Sequence, residues 1–285
     1  MYRYGQLAAS VVPERALFEA AHVIGGAVAR LNQRKRGVVR RNMARVVDRD
    51  LEAFVDEAFR SYARYWVETL RVPKPGLDEI RRRTTMEGME GLSKLLDAGR
   101  SVLFVSPHTG SLDVAGAWLA SHGWRVVAVA EELEPPELFD LFASLRRSVG
   151  VEVHPAGTGA SARALLTGLR TGAAVGLVAD RDITGTGILV EFCGEKTYLP
   201  IGPAVLALRT GAPVAIGTLY QRPWGRWHGV VLDPIEVEPG RAEPDRVRDL
   251  TERIARGMEE LIKRDPGQWH LFQPNWPSDP GYRHG

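Results

Sequence analysis

From Arg100 onward, short apolar runs alternate with helix-length stretches, and no other feature of the chain narrows the fold so far. The runs SVLFVS, WRVVAVAE, VEVHPA, AAVGLVAD and APVAIGTLYQR are too short for helices and almost unbroken by polar residues. Strands of that kind are buried on both faces, as in a parallel sheet covered by helices. The intervening stretches read as helices over 112–121, 136–149, 160–169 and 202–210, with Gly123 and Gly150 as stops. A long helix over 245–264 then precedes an aromatic tail, QWHLFQPNW. The predicted class is α/β, with a mainly parallel central sheet flanked by helices on both faces.

Residues 1–97 follow a different grammar. RVVDRDLEAFVDEAFRSYARYWVETLRV places Leu51, Val55, Phe59, Tyr62 and Trp66 near a 3.6-residue period, ending at Pro73 and Pro75. A second helix is expected over 89–96. The chain is read as one domain over 1–285, a helical, membrane-facing part over 1–97 and an α/β core over 98–285.

The net charge of +2 conceals a cluster. Between residues 30 and 49 stand eight Arg and Lys against the single acid Asp48. Arg34, Lys35, Arg36, Arg40 and Arg41 are its centre. A solvated helix face is one reading; an anionic surface as partner is the other. The apolar residues upstream (Leu7, Val11, Val12, Leu17, Phe18, Val23, Ile24 and Val28) favour lipid over nucleic acid, for which no recognition motif is present. The chain has no apolar run of about 18 residues and no signal-peptide core. Its one cysteine, Cys193, excludes an internal disulfide framework, and no Cys/His spacing suits zinc.

Chemistry concentrates where the first apolar run ends, in SVLFVSPHTGSLDVAG. A histidine at the carboxyl end of a strand stands where α/β sheets open to ligands. His108 and Asp113 would lie about 140° apart on a regular helix, so they meet only through a turn. Thr109-Gly110 supplies one, and Ser111 reads as the helix N-cap. An imidazole held by a carboxylate can take the proton of an alcohol that attacks an acyl carbon. Asp113 could instead serve only its helix N-terminus. Ser106 and Ser111 are near, but no G-x-S-x-G elbow is present and Cys193 has no base beside it in sequence. Direct transfer to a substrate hydroxyl therefore fits better than an acyl-enzyme.

HTGSLD matches the H-x4-D signature of the lysophospholipid-type acyltransferases. LRRSVGVEVHP, GLVADRDITGTGILVEFCGEKTYLPIGPAVLALRTGAPV and WHLFQPNW follow in the order of that family. The chain resembles the bacterial branch that includes the lipid A late acyltransferases, and most of all the actinobacterial phosphatidylinositol mannoside acyltransferases. The resemblance covers residues 5–278. It implies His108 as base, Asp113 as its orienting acid, and a supporting carboxylate at Asp180, where the family usually carries glutamate.

It further implies an arginine after the second helix of the core, Arg146 or Arg147, acting on substrate phosphate or on the oxyanion; either could be a helix C-terminal cation instead. Glu131 has the position of a substrate-facing acid. Arg181 and Asp182 either face substrate or pair to shape their loop. Thr109, Gly110 and Gly202 complete the expected substrate-binding set, with 187–194 and 199–203 as the far wall of an acyl-donor groove. Gly202-Pro203 reads equally as a helix start. The implied reaction moves a long-chain acyl group from acyl-CoA, a co-substrate, to a hydroxyl of a glycolipid, a mannose of phosphatidylinositol mannoside. It calls for no metal and no cofactor, and it places the protein peripherally on the cytoplasmic face of the plasma membrane. Rival readings are an acyltransferase of the same fold with another lysolipid or glycolipid acceptor, a non-enzymatic anionic-lipid-binding module, and a hydrolase using the same base. A dinucleotide-like G-T-G-A-S-A at 157–162 stands at the third strand of its unit, where such a fingerprint does not belong.

Overall fold

The structure, a computed structural model, describes residues 12–132 and 135–284. Leu7 and Val11 lie outside them. Among the described residues three helices come first: α1 (Glu14–Leu31), α2 (Gln33–Met43) and α3 (Leu51–Arg71). The short α4 (Leu77–Arg83), β1 (Thr84–Glu87) and α5 (Glu90–Asp97) follow. The core then runs β2 (Val102–Ser106), α6 (Leu112–Ala120), β3 (Val126–Ala130), α7 (Pro136–Ser148), β4 (Val151–Pro155), α8 (Gly159–Arg170) and β5 (Ala174–Val178). A hairpin of β6 (Ile188–Phe192) and β7 (Glu195–Leu199) leads to α9 (Gly202–Thr210), β8 (Val214–Arg222), β9 (Arg226–Val231) and α10 (Pro244–Arg264).

Seven strands form the main sheet in the order β1-β9-β8-β2-β5-β3-β4. The run β8-β2-β5-β3-β4 is parallel throughout, and β9 turns back antiparallel to β8. The expected class therefore holds. One correction falls in the N-terminal part, for which the sequence predicts helix alone. Thr84–Glu87 is a strand, adding to the sheet edge parallel to β9. Its four residues are too few to show a period, so only the partner strand reveals it.

The two faces of this sheet differ. On one, Leu103, Val105, Val127 and Val175 are fully buried beneath α8, α9 and α10, which contribute Leu165, Leu208 and Met258 to the same core. On the other, α5, α6 and α7 cover Val102, Phe104, Val126 and Val151. There Phe104, Gly176 and Ala128, neighbours across the middle of the sheet, are only partly buried. That second face is hollow.

Candidate active site

The hollow is a cavity of about 440 Å³ running from the carboxyl ends of the strands down between the sheet and α6. Phe104, Ala128, Gly176, Val126 and Val151 line its depth; His108, Asp113, Glu131, Arg146, Arg181 and His270 stand toward its mouth. A more open groove of about 630 Å³ between β9 and α10 carries no imidazole or nucleophile.

Strand register builds the site. Ser106 of β2 pairs with Val178 of β5. Two residues beyond the end of each strand come His108 and Asp180, so the parallel ladder delivers both to one level. His108 Nδ1 lies 2.6 Å from Asp180 Oδ1, and the His108 peptide N–H donates to Oδ2 at 3.0 Å. Trp269 Nε1 donates to the same Oδ2 at 2.9 Å. Asn275 holds the Asp180 carbonyl at 3.0 Å. Asp180 is fully buried, whereas the imidazole is 37% exposed. Burial alone would raise the Asp180 carboxyl; the His108 ring and these donors outweigh it and hold the group below the ordinary carboxylate range. With Nδ1 taken by the carboxylate, Nε2 is left toward the cavity.

Asp113 does not orient His108, a correction to the H-x4-D expectation. Its carboxylate accepts from Arg146 Nε at 2.5 Å, Thr69 Oγ1 at 2.7 Å and Tyr65 OH at 3.2 Å. The first turn of α6 points it at the last turn of α7 and at α3, away from the β5 end. The pair is buried. Desolvation pushes the Asp113 carboxyl up, and the Arg146 charge together with the hydrogen bonds from Arg146, Thr69 and Tyr65 outweighs it and leaves the group lowered. Arg146 is raised in turn, its own desolvation outweighed by the charge and hydrogen bonds of Asp113 and Tyr65.

The HTGS turn between these residues is packed from below. Gly110 has φ +68°, and a Cβ there would sit 2.1 Å from the Leu219 carbonyl oxygen. Its N–H donates to the Gln268 carbonyl, and the Ser111 N–H donates to Leu219. Thr218 donates to the Thr109 carbonyl at 2.7 Å. Ser111 Oγ donates to Glu68, buried in α3. Thr109 and Gly110 therefore form the floor of the loop and do not line the cavity. Ser111 carries no side-chain cap bond to α6.

Of the other predicted residues, Arg146 reaches the cavity while Arg147 is exposed outside it. Glu131 and Arg181 pair across the mouth. Asp182 lines the cavity, but its carboxylate accepts from Thr184 N at 3.0 Å and Gly187 N at 2.7 Å, which fixes the loop. Gly202 opens α9 and lies off the cavity. The wall expected from 187–194 is absent. Val190, Phe192 and Cys193 instead pack into the core of the opposite face, and only Pro200 of the 199–203 segment lines the cavity. Burial raises the Cys193 thiol well above its usual range.

The basic run is largely spent inside the chain. Arg36 binds Asp56 and Glu52, Arg40 binds Glu52 at 2.7 Å, and Lys35 donates to the Phe272 carbonyl at 3.1 Å. Arg41 stands 3.9 Å from Asp279, and Arg45 bridges Asp279 and Glu195. Arg34 remains exposed. These contacts tie α2 to α3 and to the C-terminal segment.

Sequence reasoning missed His270. It is 9% exposed, lines the cavity, and its N–H donates to the His108 carbonyl at 2.7 Å. Gln221 Nε2 donates to the Ser61 carbonyl and to Glu68, so its Oε1 is the acceptor for Ser61 Oγ. Ser61 has no second proton to give, which makes His270 Nε2, at 2.9 Å, the donor to Ser61. Burial, with His108 nearby, pushes this imidazole down to about 3. The tail's aromatic bias was the visible signal; its bonds to Asp180 and His108 required the fold.

An imidazole–carboxylate pair at the mouth of an apolar cavity, on an α/β sheet open at its strand ends, suits acyl-group chemistry, and with the family match below the class is an acyltransferase. The comparisons agree. The description "Bacterial lipid A biosynthesis acyltransferase" matches residues 2–278, and the chain belongs to that family. It is 34% identical to the phosphatidylinositol mannoside acyltransferase of Mycolicibacterium smegmatis (strain ATCC 700084 / mc(2)155), across 93% of this chain and 88% of the relative. The protein of that name from Mycobacterium tuberculosis (strain ATCC 25618 / H37Rv) is 32% identical, across 98% and 88%. The "Lipid A biosynthesis acyltransferase 2" of Shigella flexneri is 26% identical across 46% of this chain and 43% of its own.

Proposed function

We propose that the protein transfers a long-chain acyl group from acyl-CoA to a hydroxyl of a glycolipid, a mannose of phosphatidylinositol mannoside, with His108 as base and Asp180 as its orienting acid. The observation that carries the reading is the His108–Asp180 contact at the mouth of the apolar cavity. Nε2 takes the proton of the acceptor hydroxyl as its oxygen attacks the thioester carbonyl. A tetrahedral intermediate forms, its negative charge offset by Arg146 and Arg181. The carbon–sulfur bond then breaks, and the leaving thiolate takes the proton back from the imidazolium.

Neither nearby serine favours a covalent intermediate. Ser106 Oγ donates to the Pro107 carbonyl and Ser111 Oγ to Glu68, so neither hydroxyl is engaged with the imidazole. The names of the mycobacterial relatives support the acceptor class. Among the described residues no helix is long and apolar enough to cross a membrane. Access to a lipid acceptor instead uses α1, which exposes Val23, Ile24, Val28 and Leu31 on one side, at the cytoplasmic face of the plasma membrane, where acyl-CoA is supplied.

The test incubates the purified chain with palmitoyl-CoA and a panel of lipids, phosphatidylinositol mannosides among them, and weighs the products. The mannoside should gain one palmitoyl group, and His108→Ala should abolish the gain with an unchanged melting temperature. Free fatty acid as the sole product would make the chain a thioesterase and overturn the reading.

A further inference from the structure

Three glycines line the cavity: Gly116, Gly176 and Gly217. Packing accounts for two. A Cβ on Gly116 would press on Val151 at 3.2 Å, and one on Gly217 would meet Val231 at 2.8 Å and the Val230 carbonyl oxygen at 3.0 Å. Gly176 is different. It sits mid-strand in β5, between β2 and β3, in the middle of the sheet. Its φ is not positive, and a Cβ there would meet nothing nearer than the Ala128 Cβ at 4.0 Å. Glycine in a strand interior costs stability and gives neighbours nothing to pack on. The adjacent Val175, pointing to the other face, is fully buried, as this position in a central strand would ordinarily be. Gly176 does no structural task that alanine or valine could not do. What its missing side chain leaves is open space in the cavity.

The position of that space matters. Gly176 is level with Phe104, four residues before His108, hence roughly 13 Å down the strand, the span of about ten methylenes. Val126 and Val151 line the cavity one level deeper, beside Ala174. A chain whose carbonyl lies at His108 must therefore pass Gly176 to fill the inner end.

We propose that Gly176 sets the length of acyl chain this protein accepts, by leaving open the passage between the catalytic mouth and the inner end of the cavity. The inference rests on the proposed acyl transfer. Branched carbon at position 176 closes the passage at about the tenth carbon, so long chains lose their seat while short ones end above the block.

The experiment compares kcat/KM for decanoyl-CoA and palmitoyl-CoA in the wild type, Gly176→Ala and Gly176→Val. The C16-to-C10 ratio should fall at least about tenfold in G176V, with G176A between the two. The melting temperature should hold or rise, since valine suits a strand and fills a void. Thermal shifts with the same two acyl-CoAs report the ratio independently of turnover. A ratio within about twofold of wild type, or equal loss on both donors, overturns the role of Gly176 while leaving the acyl-transfer reading intact. A wild type that neither transfers nor binds either donor overturns the acyl-transfer reading itself.

Discussion

Two buried aspartates serve one cavity, Asp113 lining it and Asp180 behind the His108 ring, and their surroundings divide the work between them. Asp180 lies two residues beyond a central strand, is fully buried, and spends its carboxylate on an imidazole left 37% exposed. Asp113 opens a helix and spends its carboxylate on a guanidinium that is itself mostly buried, with Thr69 and Tyr65 completing its shell. The first pair leaves a nitrogen facing open space. The second locks α3, α6 and α7 together while Arg146 still lines the cavity. Sequence proximity points to Asp113 as the partner of His108; strand register gives that place to Asp180.

Exchanging each aspartate for asparagine sharpens the contrast. Asp180→Asn keeps the shape but offers His108 an amide, which can turn the wrong tautomer toward the substrate. Transfer should drop by about 10⁴-fold, as when a buried orienting carboxylate is neutralised in a histidine-based triad. Asp113→Asn leaves the buried Arg146 charge without its counter-ion. Removing one partner of a buried ion pair costs about 3–5 kcal/mol, so this variant should lose stability first, seen as a lower denaturant midpoint. The outcome that breaks the comparison is the reverse: an Asp180→Asn enzyme with near-normal turnover, or an Asp113→Asn protein as stable as wild type.

How much of this the sequence showed depends on the range over which each feature is determined. The β2–β5 strands were readable because burial on both faces forces near-continuous apolar runs. His108 was readable because a polar turn interrupts such a run at its end. Asp180 was legible only through the family resemblance, as a supporting carboxylate; that it and not Asp113 holds the ring follows from the order in which strands assemble. Arg36, Arg40 and Arg45 carry the same lesson. In sequence they form a charge run, but their acids lie on α3, on β7 and near the C-terminus, and only tertiary packing brings them together.

A smaller effect separates the mouth from the wall behind it. His270 is buried and neutral, its imidazole held near 3 by desolvation and by His108, with Asp180 opposing. Ser61, Tyr62 and Tyr65 of α3 enclose it. The unfolded chain takes up that proton near pH 6.5, so between these values the unfolded state binds more protons and stability falls as pH falls. From pH 6.5 to 5 this amounts to about 2 kcal/mol. The lowered carboxyls of Asp113 and Asp180 act in a separate window, losing their contribution only as pH drops below the ordinary aspartate value near 3.8. Chemical unfolding at a series of pH values should show the slope above pH 5, and His270→Gln should flatten it. An equal slope in that variant would assign the pH dependence to other groups.

The smallest effect concerns how the protein meets a membrane, where α1 and α2 make opposite offers. Val23, Ile24, Val28 and Leu31 of α1 are 68%, 58%, 43% and 84% exposed, on a helix whose opposite side packs Gly25 against the backbone of α3. Fully burying one such side chain is worth about 1.5–3 kcal/mol. A basic residue near an anionic surface contributes about 1 kcal/mol, but Arg36, Arg40 and Arg45 already have carboxylate partners and have less to give. Partitioning onto phosphatidylinositol-containing vesicles should therefore fall about tenfold or more in Ile24→Asp and only a few-fold in Arg34→Ala. Added salt should weaken binding less than the α1 substitution does, because apolar burial is unscreened. Binding that collapses with salt and ignores Ile24→Asp would return the docking role to the basic helix, with its ion pairs to α3 opening at the surface.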